Sequence, residues 1–345
     1  MSERYKNILV IKPSSLGDIV MALPALAALR RNFPDARISW LIKPEFSAIL
    51  EGHEYIDQLI PFDRKFLGRA WRDWKSFSAL VGLIRRLRRE RFDAIVDLQG
   101  LFRTGCLGWL SGCRKRFGMA GAREFGNIFY NYRVEQGENC VHVVDYYIKM
   151  VGAMGAGDLK VDFAFAEDKA AEQRVKELLG ERRIDRDNYA VLIPGSAQES
   201  KCWPTERYAA LADRLGGEFG LQIVAVGTKS ESGVIEDIIE RSNVDIVNLA
   251  GETNLGELTS LLRGARMVVG NDTGPSHIAA CLGVGVVIIY GWSNPWRISP
   301  YGRNECMAAG GLESRGIKIK SELAEHSVAA VSVDEVFEKV SRQLR

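Results

Sequence analysis

Short, continuous apolar runs that alternate with helix-like stretches constrain the fold of this chain more than any other feature. Three runs lie in the first half, ILVIK (8–12), RISWLI (37–42) and DAIVDLQG (93–100), and five lie in the second half, YAVLIPG (189–195), LQIVAVG (221–227), DIVNLAG (245–251), RMVVGND (266–272) and VGVVIIYG (284–291). Runs rich in Val, Ile and Leu are typical of strands that are covered on both faces of a parallel sheet. The pattern therefore predicts an α/β protein.

The runs form two successive arrays, and a polar, Lys/Glu/Arg-rich helix from about Glu167 to Glu181 is predicted between them. Two arrays of this kind indicate two doubly wound, Rossmann-like domains that face each other across a cleft. A length of 345 residues leaves room for a full core in each domain. We expect the domains to span residues 1–170 and 171–345.

Composition argues against several classes of protein. Apolar residues make up 46% of the chain and charged residues 26%, and no apolar run reaches 18 residues, so no membrane-spanning helix is expected. The polar start MSERYKN contains no readable signal peptide, which favours a cytoplasmic location. The six cysteines form no C-x-x-C pair and lack zinc spacing, so neither a metal site nor a redox pair is expected.

Asp18 lies just after the first apolar run, in the stretch KPSSLGD. The carboxyl ends of parallel strands carry the ligand site in such sheets. Ser14 or Ser15 is expected to cap the following helix, which leaves Asp18 available as a general base that takes a proton from an incoming hydroxyl. The alternative is that Asp18 stabilises the helix N-terminus, an effect worth about 0.3–1 kcal/mol. The Gly-x-Gly-x-x-Gly fingerprint is absent here, which disfavours a dinucleotide-binding oxidoreductase.

The stretch GNDTGPSHIAACLG (270–283) places Asp272, Thr273, Gly274 and Ser276 at a strand-to-helix junction. Backbone N–H groups and the helix dipole attract a phosphate at such a junction. His277 lies one turn into the helix and is suited to donate a hydrogen bond to a phosphate or a sugar hydroxyl. The alternative interpretation is a capped helix after a core strand, with an incidental histidine.

A second junction, IPGSAQESKCWPTERY, offers Lys201 and the hydroxyl of Ser196 to a diphosphate whose developing charge must be compensated. The alternative is that Lys201 is a surface lysine packed against Trp203. Glu231, which follows VGTKS, is either an acceptor for the hydroxyls of a ribose or a solvated surface acid.

The segment from Arg64 to Arg91 is locally basic in a chain whose net charge is only +2. It contains ten Lys or Arg against two acidic residues, together with Trp71, Trp74 and Phe77. We interpret it as a surface for an anionic membrane or acceptor. The alternative is an exposed helix face whose tryptophans lie in the core. A nucleic-acid-binding surface would look similar but usually comes with a higher overall charge than +2.

Five stretches taken together, KPSSLGDIVMALPAL, DLQGLFRTG, AREFGNIFYNYR, PGSAQESKCWPTERY and NDTGPSHIAACLG, resemble the lipopolysaccharide heptosyltransferases of glycosyltransferase family 9, most closely the heptosyltransferase I branch. The resemblance runs from the first strand to about Arg303. It implies a GT-B fold, with the acceptor bound by the first domain and an ADP-sugar by the second. It also implies an inverting, metal-independent and cofactor-free transfer of heptose from ADP-L-glycero-D-manno-heptose to a Kdo residue of lipid A.

The resemblance further implies roles for individual residues. Asp18 is the general base. The donor-binding positions are Ser196, Lys201, Glu231, Asp272, Thr273, Gly274 and His277, and the acceptor-binding positions are Ser15, Gly17, Arg64, Lys65, Arg103 and Arg123. The implied partners are an ADP-sugar, the anionic glycolipid Kdo-lipid A and the inner face of the inner membrane, where the protein would be peripheral, with no nucleic acid.

This chain departs from the family pattern in two places. It has Ser196-Ala197 where heptosyltransferase I often has two threonines, and the stretch after Arg303 carries no recognised motif. Because the family contains enzymes that move other sugars, the alternatives include another sugar donor or a later core acceptor. A nucleotide-sugar epimerase of similar architecture and a non-catalytic nucleotide-binding protein are further alternatives.

Overall fold

The chain folds into two compact units, with the boundary between Glu167 and Asp168. The computed structural model describes residues 5–69, 71–137, 140–312 and 323–345. None of the helices in these ranges is long and apolar enough to cross a membrane.

The first unit is built on a parallel sheet of six strands. The strands are β1 (Asn7–Ile11), β2 (Arg37–Ile42), β3 (Gln58–Pro61), β4 (Ala94–Asp97), β5 (Arg116–Met119) and β6 (Tyr132–Val134), and the α-helices are α1 (Leu16–Val20), α2 (Leu23–Asn32), α3 (Arg64–Leu67), α4 (Trp74–Glu90), α5 (Phe102–Leu110) and α6 (Val143–Ala153). The spatial order is β3-β2-β1-β4-β5-β6, and every strand pair is parallel. This is the strand order of a doubly wound sheet, in which the chain first adds strands on one side of β1 and then, from β4 onward, on the other side.

The second unit repeats this topology. Its strands are β7 (Tyr189–Ile193), β8 (Gln222–Ala225), β9 (Ile246–Asn248), β10 (Met267–Asn271), β11 (Val286–Tyr290) and β12 (Met307–Ala309), and its α-helices are α7 (Lys169–Glu181), α8 (Thr205–Phe219), α9 (Ser232–Arg241), α10 (Leu255–Gly264), α11 (Gly274–Cys281), α12 (Pro295–Ile298) and α13 (Val333–Leu344). The order is β12-β11-β10-β7-β8-β9, again with parallel pairs. Two Rossmann-like domains are therefore confirmed, while the cleft between them stays a prediction.

Burial on both faces explains why the eight predicted strands are readable in the sequence. Residues 8–11 of β1 and all five residues of β7, β10 and β11 are buried. Four strands were not predicted, β3, β5, β6 and β12, and each has only three or four residues. Two of them, β5 and β6, carry arginine, which interrupts the apolar pattern.

Strand register brings several polar and titratable residues of the first unit together. Ile11 pairs with Asp97, so the chain leaves β1 through Lys12 directly beside the end of β4. On the next strand, Gly118 leaves room for the Tyr130 ring, because a Cβ at position 118 would lie 2.3 Å from two of its carbon atoms. The Tyr130 hydroxyl then donates a hydrogen bond of 2.8 Å to Asp97.

Candidate active site

Asp18 both caps the first helix and remains accessible. Its Oδ2 accepts hydrogen bonds from the Ser15 backbone N–H at 3.1 Å and from the Ser15 hydroxyl at 2.7 Å. Ser15 is the N-cap residue of α1, as expected, but the expectation that Asp18 takes no part in capping is wrong, because the Asp18 carboxylate closes the capping box. Its side chain is still about one-third exposed, and these two bonds fix the orientation of the carboxylate.

Lys12, which was not singled out from the sequence, lies beside Asp18. Its Nζ lies 3.8 Å from Asp18 Oδ2, and its side chain is buried. Burial lowers the pKa of the Lys12 ammonium, the charges of Asp18 and Asp97 act in the opposite direction, and the charge of Arg123 adds to the lowering. A lysine that ends a continuous apolar run, six residues before an aspartate, was the available sequence signal.

Asp97 is the buried centre of a hydrogen-bond network behind Lys12. Its carboxylate accepts hydrogen bonds from the backbone N–H groups of Gln99 at 2.9 Å and Gly100 at 3.1 Å, and from the Tyr130 hydroxyl at 2.8 Å. Burial raises the pKa of the Asp97 carboxyl even though these bonds act in the opposite direction. Asp97 therefore connects the end of β4 to the turn after it and to Tyr130 through hydrogen bonds.

The predicted acceptor-binding residues are only partly brought together. Arg123 is close enough to Lys12 to lower the pKa of its ammonium. Arg64 and Lys65, in contrast, lie exposed on α3, which follows β3, two strands away from β1. Arg103, on α5, forms an ion pair of 3.6 Å with Glu124. Gly17 is buried within α1, while the neighbouring Ser15 is exposed.

In the second unit, Asp272 links two predicted donor-binding residues. Lys201 Nζ lies 2.5 Å from Asp272 Oδ2, and His277 Nε2 donates to Oδ1 at 2.9 Å. Burial alone raises the pKa of the Asp272 carboxyl, but the His277 hydrogen bond and the Lys201 charge outweigh it and hold the pKa well below its usual range. Lys201 is thus ion-paired with Asp272. The buried indole of Trp203 donates its N–H to Val331 O at 2.9 Å.

His277 is buried against Asp272 and is not an exposed donor. Thr273 is the N-cap residue of α11, and Gly274 is the first residue of that helix. Asn271, buried at the end of β10, accepts a hydrogen bond of 3.0 Å from the backbone N–H of Trp203 and donates one of 2.6 Å to Pro194 O. Through Asn271, the end of β10 is hydrogen-bonded to the segment after β7 that contains Lys201.

Glu231 is held in place and is not a freely solvated acid. Its Oε2 accepts hydrogen bonds from the Thr228 N–H at 2.6 Å and the Thr228 hydroxyl at 2.8 Å. The carboxylate lies against Gly195, where an added Cβ would be 2.2 Å from its Cδ. Ser196, the next residue, accepts a hydrogen bond of 3.3 Å from the Gln198 N–H. The described part of the chain contains no group of three or more His, Cys, Asp or Glu side chains suited to a metal ion.

The profile described as glycosyltransferase family 9 (heptosyltransferase) matches residues 80–325, more than half of the chain. The chain belongs to glycosyltransferase family 9. A relative from Haemophilus influenzae, the lipopolysaccharide core heptosyltransferase OpsX, is 27% identical over 87% of this chain and 83% of its own length. The predicted family is therefore confirmed, and the protein is a glycosyltransferase.

Solved structures support the same fold. A glycosyl transferase family 9 structure from Veillonella parvula superposes with a TM-score of 0.84 and 24% sequence identity, and the match covers 100% of this chain and 98% of the Veillonella chain. The E. coli heptosyltransferase WaaC with ADP-2-deoxy-2-fluoro heptose has a TM-score of 0.76 and 22% identity, and covers 97% of this chain and 99% of its own. The likeness to this GT-B enzyme confirms the predicted fold.

Asp272→Asn tests the buried pair. The Asp272 pKa is held below the value of about 3.9 expected for an unfolded chain, so the carboxylate stabilises the folded state above about pH 4 and loses this contribution as the pH falls toward the folded pKa. We expect the variant to be less stable at pH 7 by about 1.5–3 kcal/mol in urea unfolding, as for hydrogen bonds to a charged group. The difference from wild type should narrow between about pH 5 and pH 3.

The matched control for this prediction is Asp245→Asn, which changes an exposed aspartate of the same unit. Its stability should differ from wild type by less than about 0.5 kcal/mol at every pH. Equal unfolding midpoints for Asp272→Asn and Asp245→Asn at pH 7 would contradict a stabilising role for the pair.

Proposed function

We propose that the glycosyltransferase is an inverting, metal-independent heptosyltransferase that moves heptose from ADP-L-glycero-D-manno-heptose to a Kdo residue of the lipid A inner core. The observation that carries the proposal is the partly exposed carboxylate of Asp18 in one unit, together with the Lys201 ammonium beside a helix N-terminus in the other. The WaaC structure holds an ADP-heptose analogue, which supports this donor class. We assign acceptor binding to residues 1–170 and donor binding to residues 171–345.

The donor half is suited to a nucleoside diphosphate. Lys201 supplies a cation, and the start of α11 at Thr273 and Gly274 supplies backbone N–H groups and the positive end of a helix dipole. Together they offset the charge that develops on the diphosphate as the bond to the sugar breaks. Glu231, fixed by Thr228, accepts from the ribose hydroxyls. Asp272 holds Lys201 in place through their ion pair, and His277 fixes Asp272 through a hydrogen bond.

The acceptor half supplies the base. In the proposed reaction the acceptor hydroxyl gives its proton to Asp18, and its oxygen forms a bond to the anomeric carbon of the heptose. The bond from that carbon to the diphosphate breaks, and ADP leaves with the electron pair. A single displacement of this kind inverts the anomeric configuration. Basic side chains at Arg64, Lys65, Arg103 and Arg123 are suited to the carboxylates and phosphates of the acceptor.

We also propose that the first unit contacts the inner face of the inner membrane as a peripheral protein. Trp71 and Trp74 are 73% and 77% exposed, which argues against the alternative that they belong to the core. Arg72 lies 3.8 Å from the Trp71 ring centroid, and Trp74 stacks on Phe77. Indoles interleaved with arginines match the chemistry of an anionic lipid interface. Further exposed apolar residues of this unit are Phe66, Phe102, Trp109, Phe125, Ile128 and Tyr132.

Asp18→Asn tests the proposed base. Asparagine keeps a side-chain oxygen that can accept the hydrogen bond from the Ser15 N–H, so the variant should keep its fold and its ADP affinity while turnover falls by about 100-fold or more, a typical general-base contribution. The assay measures the heptose mass increment on Kdo2-lipid A by mass spectrometry, with EDTA present. Asp35→Asn, at an exposed aspartate of the same unit, is the control and should keep full activity. Full activity of Asp18→Asn would remove Asp18 from the reaction.

Gly195→Ala tests the donor half. The new Cβ would overlap the Glu231 carboxylate and turn it away, so we expect ADP to bind about tenfold more weakly, as for the loss of about one hydrogen bond. Gly233→Ala, on α9 with open space around its Cα, is the control and should bind ADP as wild type does. Calorimetric titration with ADP gives both affinities, and equal values would place ribose recognition elsewhere.

Replacing Trp71 and Trp74 together by alanine tests the membrane contact. Because burial of one large apolar side chain contributes about 1.5–3 kcal/mol, we expect binding to vesicles of phosphatidylglycerol and phosphatidylethanolamine to weaken by about tenfold or more. Trp292→Ala, a partly exposed tryptophan of the second unit, is the control. Vesicle co-sedimentation that is unchanged by the double substitution would exclude this surface as the membrane contact.

A further inference from the structure

Lys12 is a buried cation that the proposed reaction does not yet use. It follows β1 directly, its side chain is almost fully buried, and its Nζ lies 3.8 Å from Asp18 Oδ2. Removing an ammonium group from water is costly, so such a group is retained where nearby charges compensate it. Asp18 is one such charge, and it is also the proposed base. The pair therefore joins a buried lysine to a carboxylate that solvent can reach.

The charged and titratable groups around Lys12 come from several elements. Asp97 at the end of β4 and Asp18 on α1 contribute negative charge, and Arg123 contributes positive charge. The Tyr147 ring of α6 lies 5.6 Å from Nζ. Asp97 already accepts hydrogen bonds from two backbone N–H groups and from the Tyr130 hydroxyl. Asp97 is thus well satisfied by its own donors, whereas Asp18 is bound by Ser15 and faces the Lys12 ammonium.

We propose that Lys12 is a positioning residue for Asp18, whose buried ammonium holds the carboxylate in its reactive orientation and keeps it ionised when the acceptor hydroxyl arrives. The proposal rests on the role of Asp18 as the base in the proposed function. Lys12 touches neither substrate in this scheme and acts through Asp18. Because Lys12 is held by the end of β1 and by the packing around it, the orientation is set by the sheet.

The expected effect of removing the charge has a definite sign. A cation next to a carboxylate favours the ionised form, and a second carboxylate disfavours it. Without Lys12, Asp18 would lose the ammonium that lies 3.8 Å from its Oδ2. Protonation of Asp18 would then occur at higher pH. A lysine that served only to stabilise the fold would change the unfolding midpoint and leave the pH dependence of catalysis unchanged.

The first experiment measures kcat and KM from about pH 3.5 to pH 9 for wild type, Lys12→Met and Lys12→Arg, with Kdo2-lipid A and ADP-heptose, because an aspartate titrates near pH 4. We expect the ascending limb of the kcat/KM pH profile to move upward by about one pH unit in Lys12→Met. At neutral pH, kcat should fall about tenfold or more, and the KM for ADP-heptose should be unchanged. Lys12→Arg should restore the wild-type limb. Lys43→Met, which changes a lysine at the end of β2, is the control and should follow wild type. If Lys12→Met keeps the wild-type limb, the proposal is overturned.

A double-mutant cycle separates this proposal from the proposed function. In an Asp18→Asn background, Lys12→Met should cause no further loss of turnover, because its effect passes through the carboxylate. Equal losses in both backgrounds would overturn the role of Lys12 and leave Asp18 as the base. Full activity of Asp18→Asn alone would instead reject the base assignment itself. If Lys12→Met does not fold, Lys12→Gln, which also lacks the charge, carries the same expectations.

Discussion

Parallel strand pairing is the constraint on which the rest of the structure depends. Strands buried on both faces leave no place for charge along their length, so polar chemistry collects where the strands end. In the first unit, β1 and β4 end in register and bring Lys12, Asp18 and Asp97 together. In the second unit, β10 ends at Asn271 and Asp272, beside the loop that carries Lys201. The same topology thus produces two clusters of buried charge in one chain.

Neither cluster would be stable without internal pairing. A carboxylate as deeply buried as Asp272 persists as an anion because His277 and Lys201 supply a hydrogen bond and a charge. Within the part of the chain that the structure describes, Asp97 forms no ion pair as close as that of Asp272, and burial raises the pKa of Asp97 despite three hydrogen bonds. The difference between these two aspartates follows from the groups that reach them rather than from their position, since both lie at strand ends.

Sequence reasoning succeeded where a residue's role depends on local pattern and failed where it depends on register. Eight strands were predicted because continuous apolar runs mark them, whereas β5 and β6 were missed because arginines interrupt such short segments. Asp272 and Lys201 were singled out from their junctions, but only the fold shows that they pair. Lys12 was overlooked because its importance comes from the pairing of β1 with β4, which the sequence does not display.

The two lysine–carboxylate pairs differ in which partner is exposed, and this difference underlies the different roles that we propose for them. In the second unit the Asp272 side chain is 5% exposed and Lys201 is 23% exposed, so an arriving ligand meets the cation, which suits a diphosphate. In the first unit Lys12 is 4% exposed and Asp18 is 31% exposed, so the ligand meets the carboxylate, which suits a hydroxyl that must lose its proton. One kind of ion pair can thus present either a cation or a carboxylate to a ligand, according to which partner the sheet buries.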